Sequence, residues 1–359
     1  MTQLRIAIDA MGGDEGTPMV LEGVSLAKAQ FPNAEFVLFG DEAVILEELK
    51  AHPSLANNTR VVHTDIAIGS QEKPSQAVRK GRKSSMGLAV EAVKEGEADV
   101  AVSAGNTGAM MALSKIILRM MPGIDRPALA TRIPTLEGET VMLDLGANVE
   151  CDVQNLVQFA VMGSAFARAI LGHDRPKVAL LNVGVEDLKG NETVKEAAAY
   201  LKDHETEHMD FVGYVEGHDL VHGQVQVIVT DGFTGNVALK TAEGTAHLIT
   251  TLLKRSFEQS VRTKLGYLVS KPGLSLLKEH LDPNNHNGAV FLGLNGLVVK
   301  SHGGTNAKGF ANAIKVAVGM AQNDLPKLIL KELEEVQDDS GHKNDDDISD
   351  DNSNATAAS

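Results

Sequence analysis

Short apolar runs rich in β-branched residues alternate with segments of helical character along almost the whole chain. The clearest run is part of the stretch 225–236, VQVIVTDGFTGN, which passes through a loop with two glycines into a long helical segment. Strands and helices that alternate in this way are typical of βαβ units, whose parallel sheet is covered by helices on both faces. The sequence therefore predicts an α/β fold with a mostly parallel sheet.

The other strands of this sheet are predicted from runs of the same kind. They lie at 4–10, 35–40, 60–65, 99–104, 140–146, 177–183, 210–216 and 297–303.

Six loops that end these strands are rich in glycine, and five of them also contain asparagine. They are 11–16, 104–109, 145–150, 182–192, 231–236 and 301–306. Because ligands of parallel sheets bind at the carboxyl ends of the strands, we expect the six loops to gather along one rim. Glycine lets backbone N–H groups converge on an anion, and a helix N-terminus adds unpaired donors. Turn chemistry explains any single loop equally well, but six favour a site for a phosphate-sized anion. The residues expected there include Asp9, Gly12, Gly13, Asp231, Gly232, Gly235 and His302.

Composition sets the boundaries of the domain and excludes several classes of function. With 43% hydrophobic residues, 1–336 can form one large domain, whereas 337–359, with seven Asp and one Lys, is predicted to be a disordered acidic tail. The net charge of −15 argues against nucleic-acid binding. No 18-residue apolar run and no signal peptide are visible, so a cytoplasmic location is expected. No zinc-ligand spacing occurs, and neither a metal nor a cofactor is expected.

Two basic stretches interrupt this acidic chain, at 73–83 and 250–280. The second combines helical apolar spacing with a basic edge, which predicts a helical hairpin at about 245–282, broken near 271–273. Core packing with solvated lysines explains its first part, but beyond Phe257 the pattern suits a membrane surface, an acidic partner or a dimer mate. The predicted contact residues are Lys80, Lys83, Phe257, Arg262, Lys264 and Leu268.

Motifs for nucleophilic or metal-assisted catalysis are missing from the sequence: there is no GxSxG and no HExxH, and no GxGxxG follows the first strand. Cys151 is interpreted as a packed residue because it has no motif-level His partner. Such a site suits a reaction in which the bound phosphate is itself the nucleophile, so the protein supplies only position and charge. Lys189, in the loop DLKGNE, is the best candidate for that charge.

At these loops the sequence resembles the bacterial phosphate acyltransferase (PlsX) family. The resemblance runs from about residue 4 to 321. The motifs that carry it are AIDAMGGD at 7–14, VSAGNTGA at 102–109, GIDRPALA at 123–130, LDLGAN at 143–148, LLNVG with KGNE within 180–192, TDGFTGNVALKT at 230–241 and GLNGLVVKSHGG at 293–304.

The resemblance implies an enzyme that converts acyl-[acyl carrier protein] and inorganic phosphate into acyl phosphate, an early step of phosphatidic acid and phospholipid synthesis. It implies a homodimer with a Rossmann-like three-layer α/β/α fold, similar to isopropylmalate dehydrogenase and phosphotransacetylase, from which the hairpin projects. It also implies peripheral membrane contact and hand-off of the product to a membrane glycerol-3-phosphate acyltransferase.

Carried over residue by residue, the resemblance makes Lys189 and Asn236 the expected catalytic pair. One departure is Val185, which stands where the family pattern leads us to expect a polar residue. The residues that it implies as walls of the phosphate and thioester site are Asn106, Thr107, Gly146, Ala147 and Asn148.

Three other functions remain open at this point. A phosphotransacetylase-like enzyme would use acyl-CoA instead of the carrier protein. A nicotinamide-dependent decarboxylating dehydrogenase would need a cluster of metal-binding Asp residues, which the sequence does not reveal. A membrane-docking scaffold would bind phosphate or carrier protein without turnover.

Overall fold

The computed structural model describes residues 3–204 and 206–336, so the predicted acidic tail lies outside the described residues. One 11-stranded mixed sheet forms the centre of the molecule. Its strands are β1 (Arg5–Asp9), β2 (Glu35–Gly40), β3 (Thr59–His63), β4 (Val100–Ser103), β5 (Ala128–Thr135), β6 (Gly138–Leu143), β7 (Lys177–Leu181), β8 (Asp210–Val215), β9 (Val227–Val229), β10 (Ala289–Leu292) and β11 (Leu297–Lys300).

Helices connect most of these strands. They are α1 (Gly16–Gln30), α2 (Glu42–Leu49), α3 (Pro74–Gly81), α4 (Ser85–Lys94), α5 (Thr107–Leu118), α6 (Val153–Leu171), α7 (Glu192–Asp203), α8 (Gly232–Glu258), α9 (Val261–Leu281), α10 (Ala307–Gln322) and α11 (325–336).

Alternate residues of the central strands bury opposite faces of the sheet. In β1, Ile6 and Ile8 belong to the core beneath α1, α6 and α10, whereas Ala7 belongs to the core beneath α4 and α5. This alternation is the geometry of an extended strand, and burial on both sides explains why these strands are apolar throughout. The predicted three-layer α/β/α fold is confirmed.

Two strands were not predicted, and they change the direction of the sheet. The order is β3-β2-β1-β4-β11-β10-β5-β6-β9-β7-β8, and both missed strands, β5 and β10, pair antiparallel with their neighbours. The strands β6, β9, β7 and β8 therefore run opposite to β1, β2, β3, β4 and β11.

The expectation that all six glycine-rich loops share one rim is therefore wrong. Three loops follow the adjacent strands β1, β4 and β11, and we refer to them as the Asp9 group. The other three loops follow the adjacent strands β6, β9 and β7. Because these strands run in the opposite direction, their carboxyl ends lie on the other side of the sheet, where strands such as β1 begin. We refer to these loops as the Asp144 group.

Helices α8 and α9 form the predicted hairpin, but its break is not near Pro272. The chain turns at Gln259 and Ser260, where the side chains of Ser260 and Thr263 cap each other's backbone N–H groups. Pro272 lies inside the continuous helix α9, and the carbonyl that it leaves without a helical donor belongs to the exposed residue Leu268. None of the residues of α9 is buried.

Candidate active site

The Asp9 group is built around a buried carboxylate at the end of β1. Asp9 Oδ2 accepts a 2.6 Å hydrogen bond from Ser103 Oγ, and Asp9 Oδ1 accepts one of 3.2 Å from the Met11 backbone N–H. Burial raises the pKa of Asp9, and the bonds from Ser103 and Ser85 oppose that rise. Gly12 is required because a Cβ there would lie 2.7 Å from Asp9 Oδ2. These contacts fix the first loop against the loop that follows β4.

Lys300 at the end of β11 belongs to the same group and was not predicted. Its side chain is buried, and Nζ donates to the carbonyl oxygen of Ala104, at 3.3 Å, and to that of Ser301. Burial lowers the pKa of Lys300 to about 8, against the opposing charges of Asp9 and Asp14. In the sequence, Lys300 is one polar residue at the end of an apolar strand. Its contacts with the loops after β4 and β11 are visible only in the structure.

The remaining predicted residues of the Asp9 group take mixed roles. The side chain of Asn106 caps α5 and donates to the carbonyl oxygens of Ser70 and Glu72, so its amide is engaged within the protein. Thr107 lies exposed in the first turn of α5. Gly13 has φ +92°, a backbone conformation that favours glycine.

His302 connects the Asp9 group with α8. Its ring keeps contact with solvent, its Nδ1 accepts a 3.2 Å hydrogen bond from the Gly304 N–H, and its pKa is lowered by partial desolvation among the surrounding loops and by the charges of Lys300 and Lys240. Glu243 opposes that effect. Lys240 and Glu243 lie on α8, whose first turn begins in the Asp144 group, so this helix carries charges near enough to act on His302.

The Asp144 group is built around a second buried carboxylate, that of Asp144, which was not among the predicted site residues. Asp144 follows β6 and accepts backbone N–H bonds from Leu129, Ala147 and Asn148 at 2.9, 3.1 and 2.7 Å. Asp144 also accepts a 2.9 Å hydrogen bond from the side-chain amide of Asn148. Burial raises the pKa of Asp144, and these four donors oppose the rise. Asn148, predicted to bind substrate, is buried and holds the loop together.

The predicted anion cradle at the start of α8 is closed by the protein's own backbone. The Gly232 N–H donates to the Asn148 carbonyl at 2.7 Å, and the Gly235 N–H donates to the Asp231 carbonyl at 2.9 Å. A Cβ on Gly235 would overlap the backbone oxygen of Asp144. The Asp231 carboxylate accepts from the Thr234 N–H and hydroxyl at 2.8 and 2.7 Å. These glycines therefore allow two loops to pack closely, and Asp231 caps the helix.

The loop that follows β7 presents Lys189 to solvent. The Asn182 amide donates to the carbonyl oxygens of Gly184 and Lys189, each at 3.1 Å, and so closes the loop on itself. Gly190, with φ +95°, leaves room for the Asn182 side chain. The Lys189 stem passes over Gly184, where a Cβ would lie 2.9 Å from Lys189 Cγ. Lys189 itself is exposed.

The structure brings the loops of the expected catalytic pair to one edge of the sheet. Lys189 follows β7 and Asn236 follows β9, and these strands are hydrogen-bonded parallel neighbours. Gly146, with φ +117°, faces Asn236, whose Cβ lies 3.7 Å from where a Gly146 Cβ would be. Within residues 3–204 and 206–336, neither Lys189 Nζ nor the Asn236 amide has a hydrogen-bond or ion-pair partner, so both can engage a ligand.

Cys151 lies half-buried beside the Asp144 group. Burial and the charge of Asp144 raise the pKa of its thiol to about 11. A thiol with such a pKa is almost entirely protonated at neutral pH, so the interpretation of Cys151 as a packed residue agrees with its environment.

The predicted contact residues lie on two separate surfaces. Lys80 and Lys83 are exposed at the end of α3, and Arg262, Lys264 and Leu268 are exposed on α9. Phe257 differs, because its ring packs edge-on against Tyr267 with centroids 5.6 Å apart and is half-buried. The ring of Phe257 therefore packs α8 against α9 within the hairpin. No described helix is long and apolar enough to cross a membrane.

An 11-stranded mixed sheet covered by helices on both faces defines an α/β fold of the type seen in solved phosphotransacetylase structures. The EutD phosphotransacetylase from Staphylococcus aureus superposes with a TM-score of 0.59 and 18% identity, over 89% of this chain and 94% of that chain. A phosphotransacetylase from Streptococcus pyogenes gives a TM-score of 0.60 and 17% identity, over the same fractions. At such identities the likeness establishes the fold alone.

Sequence comparison identifies the family. The model described as fatty acid synthesis protein matches residues 4–328, and the chain belongs to this family. A relative named phosphate acyltransferase from Erythrobacter litoralis is 53% identical over 337 residues, which are 94% of this chain and 95% of that protein. One of the same name from Rhodospirillum rubrum is 53% identical over 334 residues, 93% of this chain and 95% of that protein. The resemblance to the bacterial phosphate acyltransferases is confirmed.

Proposed function

We propose that this protein is an acyltransferase that moves a fatty acyl group from acyl-[acyl carrier protein] to inorganic phosphate and yields acyl phosphate for phospholipid synthesis. Relatives that are 53% identical over nearly the whole chain and are named phosphate acyltransferase support the reaction class. The observation that carries the proposal is that Lys189 and Asn236, which follow the adjacent parallel strands β7 and β9, are exposed and have no hydrogen-bond or ion-pair partner among the described residues.

In this mechanism inorganic phosphate is the nucleophile. A phosphate oxygen attacks the thioester carbonyl carbon and forms the new C–O bond, and the C–S bond then breaks. The carrier thiolate leaves with the electron pair of that bond and takes up a proton from solvent. Lys189 supplies a positive charge that holds phosphate at the loop after β7 and offsets repulsion between phosphate and the developing oxyanion.

The Asn236 amide stabilises the oxyanion of the tetrahedral intermediate in this proposal. An N–H donor placed where charge develops lowers the barrier more than it strengthens substrate binding. Gly146 presents no side chain toward Asn236, so a carbonyl group has access to the amide. The buried carboxylate of Asp144 fixes the loop after β6, and that loop bonds the start of α8 through the Asn148 carbonyl and the Gly232 N–H.

Two other enzyme functions have less support. Acyl-CoA as the donor would suit the phosphotransacetylase-like fold, but structures below 25% identity carry no substrate information. For a decarboxylating dehydrogenase, the part of the chain that the structure describes offers no group of three or more His, Cys, Asp or Glu side chains arranged to hold a metal. A scaffold that binds without turnover does not explain the pair Lys189 and Asn236.

We also propose three features of the protein's surroundings. The protein acts in the cytoplasm as a homodimer, and the α8–α9 hairpin contacts the membrane surface. The exposed apolar and basic residues of α9 support this contact, since anionic lipid attracts the basic side chains and the interface accepts the apolar ones. Hand-off of acyl phosphate to a membrane glycerol-3-phosphate acyltransferase would then occur at that surface.

The test of the reaction is direct. Purified protein is mixed with acyl-[acyl carrier protein] and inorganic phosphate, and acyl phosphate is measured by its reaction with hydroxylamine. Acyl-CoA at the same concentration is tested in parallel. We expect acyl phosphate with the carrier-linked donor and much less with acyl-CoA. Equal or faster reaction with acyl-CoA would favour the phosphotransacetylase-like alternative, and no product with either donor would exclude both.

A further inference from the structure

Five large apolar side chains remain exposed to solvent on the loops that carry the candidate catalytic residues and on the neighbouring loop after β6. They lie on all three loops of the Asp144 group, and we refer to them as the apolar rim. Its members are Val149 (68% exposed), Val183 (78%), Val185 (59%), Leu188 (91%) and Phe233 (64%).

The loop after β7, which carries three of the five rim residues, is held in place by hydrogen bonds and an ion pair. In the loop after β7, the Asn182 amide ties the carbonyl oxygens of Gly184 and Lys189 together. The same loop is fastened to α7 by the 2.8 Å ion pair between Asp187 and Lys202. Leu188 lies between these two fixed points and still exposes 91% of its surface. A loop that is held in place and presents apolar side chains to water has a surface suited to an apolar ligand.

The rim is adjacent to the reacting groups. Leu188 directly precedes Lys189, and Phe233 lies one helical turn before Asn236. The strands β6, β9 and β7 that carry the three loops are successive neighbours, so the loops start within about 10 Å of one another. The rim is therefore next in sequence to both candidate catalytic residues, on loops that start side by side.

We infer that the apolar rim binds the hydrocarbon chain of the acyl donor, with Leu188 and Phe233 as its main contacts. This inference rests on the proposed function and adds a binding surface that selects long acyl chains over short ones. The acyl carbonyl would lie between Lys189 and Asn236, and the first methylene groups would cover Leu188 and Phe233. The remainder of the chain would follow the exposed side chains of α8, on which Val237 is next along the helix after Phe233.

Charge and size favour a hydrocarbon chain over other occupants. Glu186 and Asp187 lie in the loop of Leu188, and Glu150 follows Val149. These carboxylates repel an anionic membrane surface, but they do not act on an uncharged hydrocarbon chain. A second copy of the protein would need about 20–30 residues on each side of a stable interface, and the rim offers five side chains.

The experiment compares two chain lengths of one donor. Leu188→Asn and Phe233→Asn are assayed with a long-chain acyl-[acyl carrier protein] and with its acetyl counterpart. We expect each substitution to raise KM for the long-chain donor about tenfold and to leave the acetyl donor unchanged, because only the long chain reaches the rim. Leu136→Asn, on a residue that is 80% exposed in the turn between β5 and β6, is the matched control and should change neither value.

Two further measurements separate the possible outcomes. Light scattering reports the oligomeric state of each variant, and titration with a long-chain acyl thioester of pantetheine reports binding without turnover. The inference would be overturned if KM rose equally for both donors or rose for neither. A change of oligomeric state without any difference between the two chain lengths would overturn it too. If the wild type binds the long-chain thioester through Leu188 and Phe233 but makes no acyl phosphate, the proposed reaction fails and the binding surface stands.

Discussion

The backbone N–H of Gly232 donates a 2.7 Å hydrogen bond to the carbonyl oxygen of Asn148. This bond joins the loop after β9 to the loop after β6, and so two of the glycine-rich loops hold each other instead of a ligand. Gly235 contributes to the same junction, because it lets the backbone of Asp144 approach the first turn of α8. Gly232 and Gly235 thus serve the packing between these loops, and the proposed ligand contacts are those of the exposed side chains that the loops present.

Gly235→Ala is expected to destabilise the protein. A Cβ at this position would overlap the backbone oxygen of Asp144, and neither backbone can move without breaking the Asp144 loop. We expect a loss of about 2–4 kcal/mol in the free energy of unfolding, measured by urea denaturation. Gly244→Ala on the same helix is the control, since nothing lies within 4 Å of a Cβ there, and it should stabilise by about 0.5–1 kcal/mol. Equal stability of the two variants would contradict the packing role of Gly235.

Lys189→Met and Asn236→Ala are each expected to lower kcat by about 10²–10³. In the proposed mechanism each substitution removes a group that stabilises charge in the transition state. The fold should be retained, because both side chains are exposed. Steady-state kinetics with acyl-[acyl carrier protein] and phosphate, together with thermal denaturation, checks both statements. Lys195→Met on α7 is the control, because it removes a lysine from a surface ion pair with Glu192 and should retain activity. A variant with near-normal kcat would remove that residue from the site.

The sequence was sufficient to predict the layers of the fold but not the direction of its strands. Strands such as β2, at Glu35–Gly40, bury both faces and read as continuous apolar runs between helices. In contrast, β5 contains Arg132 and Pro134 and alternates between buried and half-buried positions, and β10 has only four residues. These two strands were missed, and they are the ones that reverse the sheet and separate the loops into two groups.

The candidate site could be approached from the sequence only in part, for a similar reason. Lys189 and Asn236, the proposed pair, stand in loops that glycine and asparagine mark in the sequence, so pattern and resemblance could single them out as candidates. Asp144 and Lys300 follow or end apolar strands, and nothing local distinguishes a buried carboxylate or ammonium from an exposed one. Their burial depends on loops that come from distant parts of the chain, which only tertiary packing brings together.

The stability of the protein is expected to rise between pH 8 and 10.5 because of Lys300. Its pKa is about 8 in the folded state and 10.5 in the unfolded chain, so the unfolded chain binds more protons within this window. The free energy of unfolding therefore increases with pH there, by at most on the order of 3 kcal/mol. Urea denaturation across the window should show this rise in the wild type and lose it in Lys300→Met. Lys315→Met, on an exposed residue of α10, should keep it. An unchanged slope in Lys300→Met would show that Lys300 is not responsible.

The double charge reversal Arg262→Glu with Lys264→Glu is expected to weaken membrane binding without changing the chemistry. Both residues are exposed on α9, and each basic residue near an anionic surface contributes about 1 kcal/mol, so affinity for anionic vesicles should fall about thirtyfold or more. Vesicle sedimentation measures the affinity, and turnover of a small thioester in the absence of lipid should stay the same. Lys308→Glu with Lys315→Glu on α10 changes the net charge equally and should leave binding nearly intact. If instead affinity for the carrier protein falls and vesicle binding does not, α9 docks the carrier. If neither changes, α9 is a structural element of the hairpin.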